Sequence, residues 1–166
     1  MILKFFNKNF NISLSIVALI YFLDRLSKIF VIQLDKSNLG SEIFSSAYLN
    51  IVLIWNKGIA FGLFSFNEMY LYNILTLIIL IIIIMLIVMS VKNHRFKRYS
   101  LLMVVGGALG NLHDRIFYNA VPDFIDFHVG EFHWFIFNVA DIFITTGIIF
   151  MILCEIVGNN NKNEKI

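Results

Sequence analysis

A chain of 166 residues that is 59% hydrophobic and 14% charged, with a mean hydropathy of +0.81, is not a soluble globule, which would carry roughly a quarter charged residues. One domain suffices for the whole length, residues 1–166. The net charge of +2 gives no reason to expect a nucleic-acid partner, and the lone Cys154 excludes an internal disulfide and any CxxC motif.

Lys4 and Lys8 precede an apolar run that starts near Ile12. Residues 12–23 would suit a signal-peptide core. However, Asp24-Arg25-Leu26-Ser27-Lys28 follows, then more apolar residues to Leu34, with no small-x-small cleavage site. The run therefore reads as an uncleaved spanning helix over 12–34. Asp24 and Lys28 stand four apart and can pair on one face; a purely local ion pair that lets the helix insert would explain them equally well.

The connection over 35–68 begins polar and turns strand-like over 48–55. Asn56-Lys57-Gly58-Ile59-Ala60-Phe61-Gly62 follows, with glycines at turn positions, and Asn56 alone reads as a turn residue. A short sheet at the membrane surface is expected in this first outer loop. Residues 69–91 carry no charge and are long enough to cross a hydrocarbon core of about 30 Å. They read as lipid-facing scaffold without chemistry.

The basic loop Lys92, His94, Arg95, Lys97, Arg98 fixes topology. By the positive-inside rule it is cytoplasmic, as are Lys4, Lys8, Lys162 and Lys165. Four spans with both termini cytoplasmic satisfy every basic cluster. The third span covers about 99–118, where Gly106 and Gly110 permit close helix contact, and Asn111, Asp114 and Arg115 lie three and four residues apart on one face. The fourth covers about 134–157, with Asn138 and Asp141 on one face and Thr145 continuing it. The fold class is thus an all-α membrane protein of four transmembrane helices, with a small extracytoplasmic β-sheet.

This topology brings the polar residues to one depth. Asp24 falls in the outer half of its span, and Asn111, Asp114, Arg115, Asn138 and Asp141 fall near the outer ends of theirs. The loops of Asn56 and Asp123 face the same side, and Trp55, Trp134, Phe124, Phe127 and Phe132 would form an interfacial belt around them. Asp114 and Arg115 could simply neutralise each other as polar glue. Asp123 and Asp141 together, at the two edges of one loop, favour function, because an intramembrane carboxylate is costly unless it is used or paired.

Two aspartates in a poorly hydrated pocket cannot easily both ionise and so share a proton. One can then take a proton from water while the other donates to a carbonyl, the aspartic-protease arrangement. This chemistry needs no metal and no cofactor. His113, His128 and His133 form no HExxH motif, and the serines show no GxSxG.

Five blocks carry a resemblance: Asp24-Arg-Leu-Ser-Lys28, Asn56-Lys-Gly-Ile-Ala-Phe-Gly62, Gly110-Asn-Leu-His-Asp-Arg115, Val121-Pro-Asp-Phe124 and Phe137-Asn-Val-Ala-Asp141. Together and in this order they resemble lipoprotein signal peptidase (signal peptidase II), the bacterial aspartic protease of the inner membrane. The resemblance covers almost the whole chain. It implies an endopeptidase that removes the signal peptide from diacylglyceryl-modified prolipoproteins, cutting before the lipidated cysteine at the outer face of the cytoplasmic membrane. It implies Asp123 and Asp141 as the catalytic pair. Asn56, Gly58, Asn111, Arg115 and Asn138 would bind the peptide, and Asp24, Lys28 and Asp114 would support the site. The implied partners are the lipid-modified precursor and membrane lipid, with the enzyme a multi-pass monomer. Asp126, three residues after Asp123, is the acid most easily confused with it.

Two other classes compete. A small four-helix transporter or ion relay would spread its carboxylates through the bilayer depth. A non-catalytic assembly factor would use Asp and Arg as interhelical pairs, and leaves a loop aspartate beside an intramembrane one unexplained.

Overall fold

The computed structural model describes residues 8–38, 42–58 and 69–163, with the side chains of 8, 9, 95 and 158–163 excepted. The expectations placed on Lys4, Lys8, Arg95, Lys162 and Lys165, and on residues 59–62, concern side chains or segments outside those described.

Four helices dominate: α1 (Lys8–Ser37), α2 (Met69–Lys92), α3 (Arg95–Tyr118) and α4 (Val139–Asn163). At a rise of about 1.5 Å per residue, the shortest is about 36 Å long, more than a hydrocarbon core requires. By composition alone, two are long and apolar enough to cross a membrane: α2, and Val139–Val157 of α4. The other two carry charges within their lengths as well as at their ends, and the inner ones point inward. Asp24, Arg25 and Lys28 on α1 and Asp114 and Arg115 on α3 are buried, while Leu19, Phe22, Leu26 and Phe30 on α1 are exposed. This is the reverse of a soluble helix, and it suits a hydrocarbon surround, where polar groups must find partners inside.

Helix α3 is central and touches the other three. Its glycines set the spacing. A Cβ on Gly107 would meet the backbone carbonyl of Ala140 on α4, and one on Gly110 would run into the Asp24 carboxylate on α1. Close approach at these points lets polar groups on separate helices touch.

The β structure is larger than expected and comes from both connections. Strands β1 (Phe44–Ser45) and β2 (Leu49–Asn56) precede α2, while β3 (Val121–Val129) and β4 (Phe132–Phe137) lie between α3 and α4. They form one antiparallel sheet in the order β1-β2-β3-β4. The expectation of a sheet confined to the first connection is corrected accordingly, as is the start of the fourth helix. Residues 134–137 are strand, and α4 begins at Val139. The local reasons are readable: α3 ends at Asn119, whose φ of 53° is left-handed, a conformation Asn tolerates better than most residues. The β3–β4 turn begins at Gly130 with φ 59°, where a side chain would be strained. The register places Ile54 of β2 opposite Asp123, and Asn56 opposite Val121.

Of the aromatic belt, Trp55, Phe127, Phe132 and Trp134 are exposed, and Trp55 packs on Tyr118 with ring centroids 5.5 Å apart. Phe124 is buried and so lies inside the protein instead of in the belt, on the strand that α3 and α1 pack against.

Candidate active site

The site begins with how α4 starts. Asn138 is its cap: the side-chain Oδ1 accepts from the Asp141 backbone N–H at 3.2 Å, and the Asp141 carboxylate accepts from the Asn138 backbone N–H at 3.2 Å. This is a reciprocal capping box, with aspartate in the position more often held by glutamate. It satisfies two orphan donors of the helix terminus. A third, the Ala140 N–H, donates to Asp24 Oδ1 at 3.0 Å.

The cap also fixes the second acid. Because Asn138 Oδ1 is committed to the helix, its amide nitrogen must point the other way, and Nδ2 donates to Asp123 Oδ1 at 2.6 Å. One fully buried asparagine thus ties Asp123 to Asp141. On its other side, Asp123 Oδ2 accepts from Asn56 Nδ2 at 2.8 Å, while Asn56 Oδ1 accepts from the Gly58 N–H at 2.8 Å. Asn56 is therefore both the turn residue expected and a donor to the acid. Burial first, and the charge of Asp141 second, push Asp123 up from 3.8 to about 6, against the opposing hydrogen bonds of Asn56 and Asn138.

Asp141 Oδ1 accepts from Asn111 Nδ2 at 2.8 Å. The orientation of Asn111 is again forced, since its Oδ1 accepts from Lys28 Nζ at 2.8 Å and a lysine can only donate. Lys28 spends its other two protons on Asp24 Oδ2 at 2.9 Å and Asp114 Oδ2 at 2.7 Å. Arg25 completes this second cluster, 2.5 Å from Asp114 Oδ1 and 3.3 Å from Asp24 Oδ2. The Asp24–Lys28 pair is thus not merely local, and Asp114 is neutralised by α1 rather than by Arg115. Arg115 turns elsewhere: NH1 donates to the Asn111 carbonyl and NH2 to the Gly58 carbonyl, both at 3.2 Å. The hydrogen bonds close a ring from Asn111 through Asp141, Asn138, Asp123, Asn56, Gly58 and Arg115 back to Asn111.

Two apolar-walled cavities reach Asp141. One, of about 430 Å³, is lined by aromatics of β3 and β4 together with Thr145 and Thr146 of α4. The other, of about 400 Å³, lies between α2, α3 and α4 and has Asn111, Arg115 and Asp141 in its wall.

A profile of the signal peptidase (SPase) II family matches residues 16–157. The chain belongs to the signal peptidase II family. It is 49% identical over 159 residues to a lipoprotein signal peptidase of Pelagibacter ubique, covering 95% of this chain and 96% of the relative. It is 37% identical over 155 residues to that of Anaplasma phagocytophilum, covering 92% and 96%. The structure is similar to that of a bacterial membrane enzyme determined by the in meso method, with a TM-score of 0.75, 29% identity and 92% of each chain covered. The transporter reading finds no support, and the family is one of peptidases.

All ten residues expected at a signal peptidase II site lie in the two linked clusters: Asp123, Asp141, Asn56, Gly58, Asn111, Arg115 and Asn138 in the ring, with Asp24, Lys28 and Asp114 behind it. Asp126 stands apart. It is buried on β3 with its carboxylate 2.9 Å from His133 Nδ1. Arg25 was missed, although charge balance pointed to it: Lys28 alone leaves Asp24 and Asp114 one positive charge short. Tyr72 was missed as well. It is buried on α2, the helix read as bare scaffold, and with Tyr70, Asn73 and Thr76 close by, its hydroxyl does not single it out in the sequence.

Proposed function

We propose that this chain is an aspartic endopeptidase that removes the signal peptide from diacylglyceryl-modified prolipoproteins, cutting before the lipidated cysteine, with Asp123 and Asp141 as its catalytic pair. The observation that carries this reading is the asparagine tie. Asn138 holds two carboxylates in one buried site and supplies only neutral donors to them, so the pair retains a proton. The ionised carboxylate takes a proton from water as the water attacks the scissile carbonyl. The protonated one donates to the oxygen that becomes negative and recovers that proton when the gem-diol collapses, while the proton taken from water passes to the leaving amine. Arg115, Asn56 and the Gly58 backbone hold the substrate's peptide, and the two apolar cavities suit a signal segment and acyl chains. The lysine–arginine–aspartate cluster supports this arrangement through Asn111.

The chain acts as a single domain and a monomer, without metal or cofactor. All four helices cross the bacterial cytoplasmic membrane, both termini are cytoplasmic, and the sheet and acid pair lie at the outer face. The basic loop between α2 and α3 supports that orientation. A site at this interface is where a substrate anchored by its own lipid arrives by lateral diffusion.

The test is cleavage of a synthetic diacylglyceryl lipopeptide by the purified protein in detergent, with and without chelator. Cleavage on the amino side of the lipidated cysteine, unchanged by chelator and absent with the unlipidated peptide, is expected. No cleavage, or activity restored by zinc after chelation, would refute the proposal.

A further inference from the structure

Helix α2 presents aliphatic side chains to its surroundings along most of its length and buries three residues: Tyr72, Ile83 and Ser90. Ile83 packs with Val105 and Leu112 of α3. The two helices run in opposite directions. Moving eleven residues back along α2 from Ile83 and ten forward along α3 from Val105 places Tyr72 level with Arg115. Tyr72 is also seven residues, two turns, from Ile79, a wall residue of the cavity that holds Arg115, Asn111 and Asp141, and so lies on the same face.

The Tyr72 hydroxyl and the Arg115 Nε are both buried, and among the described residues neither has a hydrogen-bond partner. The phenol is close enough to Arg115 for the two to interact electrostatically. Ser90, by contrast, donates to the Ile87 carbonyl. A buried polar group without a partner is unfavourable, and these are two neighbouring donors in search of an acceptor, of which Arg115 stands in the wall of the cavity that Asp141 also lines. We infer that Tyr72 is a substrate-positioning residue, its hydroxyl acting beside Arg115 to hold a carbonyl oxygen of the lipid-modified precursor. This inference rests on the function proposed above and names a residue that function did not require. The carbonyl belongs either to the peptide backbone or to an acyl ester of the glyceryl group; both offer the same acceptor.

The experiment compares Tyr72→Phe with the unaltered full-length protein in detergent, on lipopeptides whose glyceryl chains are ester-linked or ether-linked. Phenylalanine keeps the ring and removes only the donor. A fall of about five- to tenfold in kcat/KM on the ester substrate is expected, carried mainly by KM, with the thermal midpoint and pH profile unchanged. An equal fall on both substrates assigns the peptide carbonyl. A fall on the ester alone, with the unaltered enzyme losing as much when given the ether, assigns the acyl carbonyl. Unchanged kcat/KM on both substrates overturns the inference, as does a loss explained by a lowered midpoint at constant KM. Turnover by the unaltered enzyme, set against an inert Asp141→Asn variant, tests the proposed function separately. If the unaltered enzyme cleaved nothing, both would fall.

Discussion

Two buried clusters share Asn111, and they use aspartate in opposite ways. In the first, Asp24 and Asp114 face Lys28 and Arg25, two charges against two, and every Lys28 proton has an acceptor. In the second, Asp123 and Asp141 face each other's charge with only amides around them, and Arg115 donates to carbonyls instead of carboxylates. Both pairs are buried. The cationic partners hold the first pair in ion pairs that join α1 to α3, so it serves to hold helices together. Neutral donors position the second pair without discharging it, so a proton remains there to be moved. A buried acid is chemically available when its partners are neutral.

The largest effect should come from removing the second pair's proton chemistry. Asp123→Asn or Asp141→Asn is expected to lower lipopeptide cleavage by about a thousandfold or more, with a thermal midpoint near that of the unaltered protein. Asp126→Asn, made as a control, should keep most of the activity; the reverse pattern would mean that the wrong acid of β3 has been chosen. Next is the first cluster. Lys28→Met leaves two carboxylates with Arg25 alone, and losing one partner of a buried pair costs roughly 3–5 kcal/mol. The expected result is a lower yield of folded protein and a lower midpoint. Normal stability with lost turnover would show that the cluster is not structural.

Asn138→Ser separates two functions of one side chain. Serine caps a helix about as well as asparagine but has no amide to reach Asp123. Turnover should fall by about ten- to a hundredfold through lost positioning, while the midpoint moves by about 1 kcal/mol or less. Equal losses of stability and rate would argue against the tie. A further effect concerns pH. Asp123 is raised from 3.8 to about 6, so the folded protein keeps a proton that the unfolded chain gives up. Stability is therefore fullest below the unfolded value, falls as pH rises through that window, and levels off above it. Asp123→Asn should flatten this part of a midpoint-against-pH curve; an unchanged slope would mean that Asp123 is not the group responsible.

The helices and acids were legible because hydrocarbon makes charge conspicuous: Asp24, Asp114 and Asp141 stand out in apolar runs, and spacing places Asn111 and Arg115 beside them. The sheet was half legible. Residues 48–55 read as strand, but 132–137 are aromatic enough to pass as the start of a spanning helix, and only Gly130 with its flanking β-prone residues signalled a hairpin. The ring itself was not legible. Which end of Asn111 or Asn138 meets which partner depends on tertiary neighbours that no spacing rule supplies. Phe124 was misplaced for a related reason, since strand alternation decides its side only once β2 and β4 are known to flank it.

The capping box has a further consequence for how the protein is made. The two acids that Asn138 ties come from opposite sides of the strand-to-helix junction, and the tie exists only when that junction has formed. A nascent chain that has completed its first three helices and the β3–β4 hairpin carries Asp123 but neither Asn138 nor Asp141. Because the side chain that starts the last helix also aligns the acids, such an unfinished copy is expected to be inert if they are the catalytic pair proposed, its hydrolytic centre completed only when the carboxy-terminal helix folds.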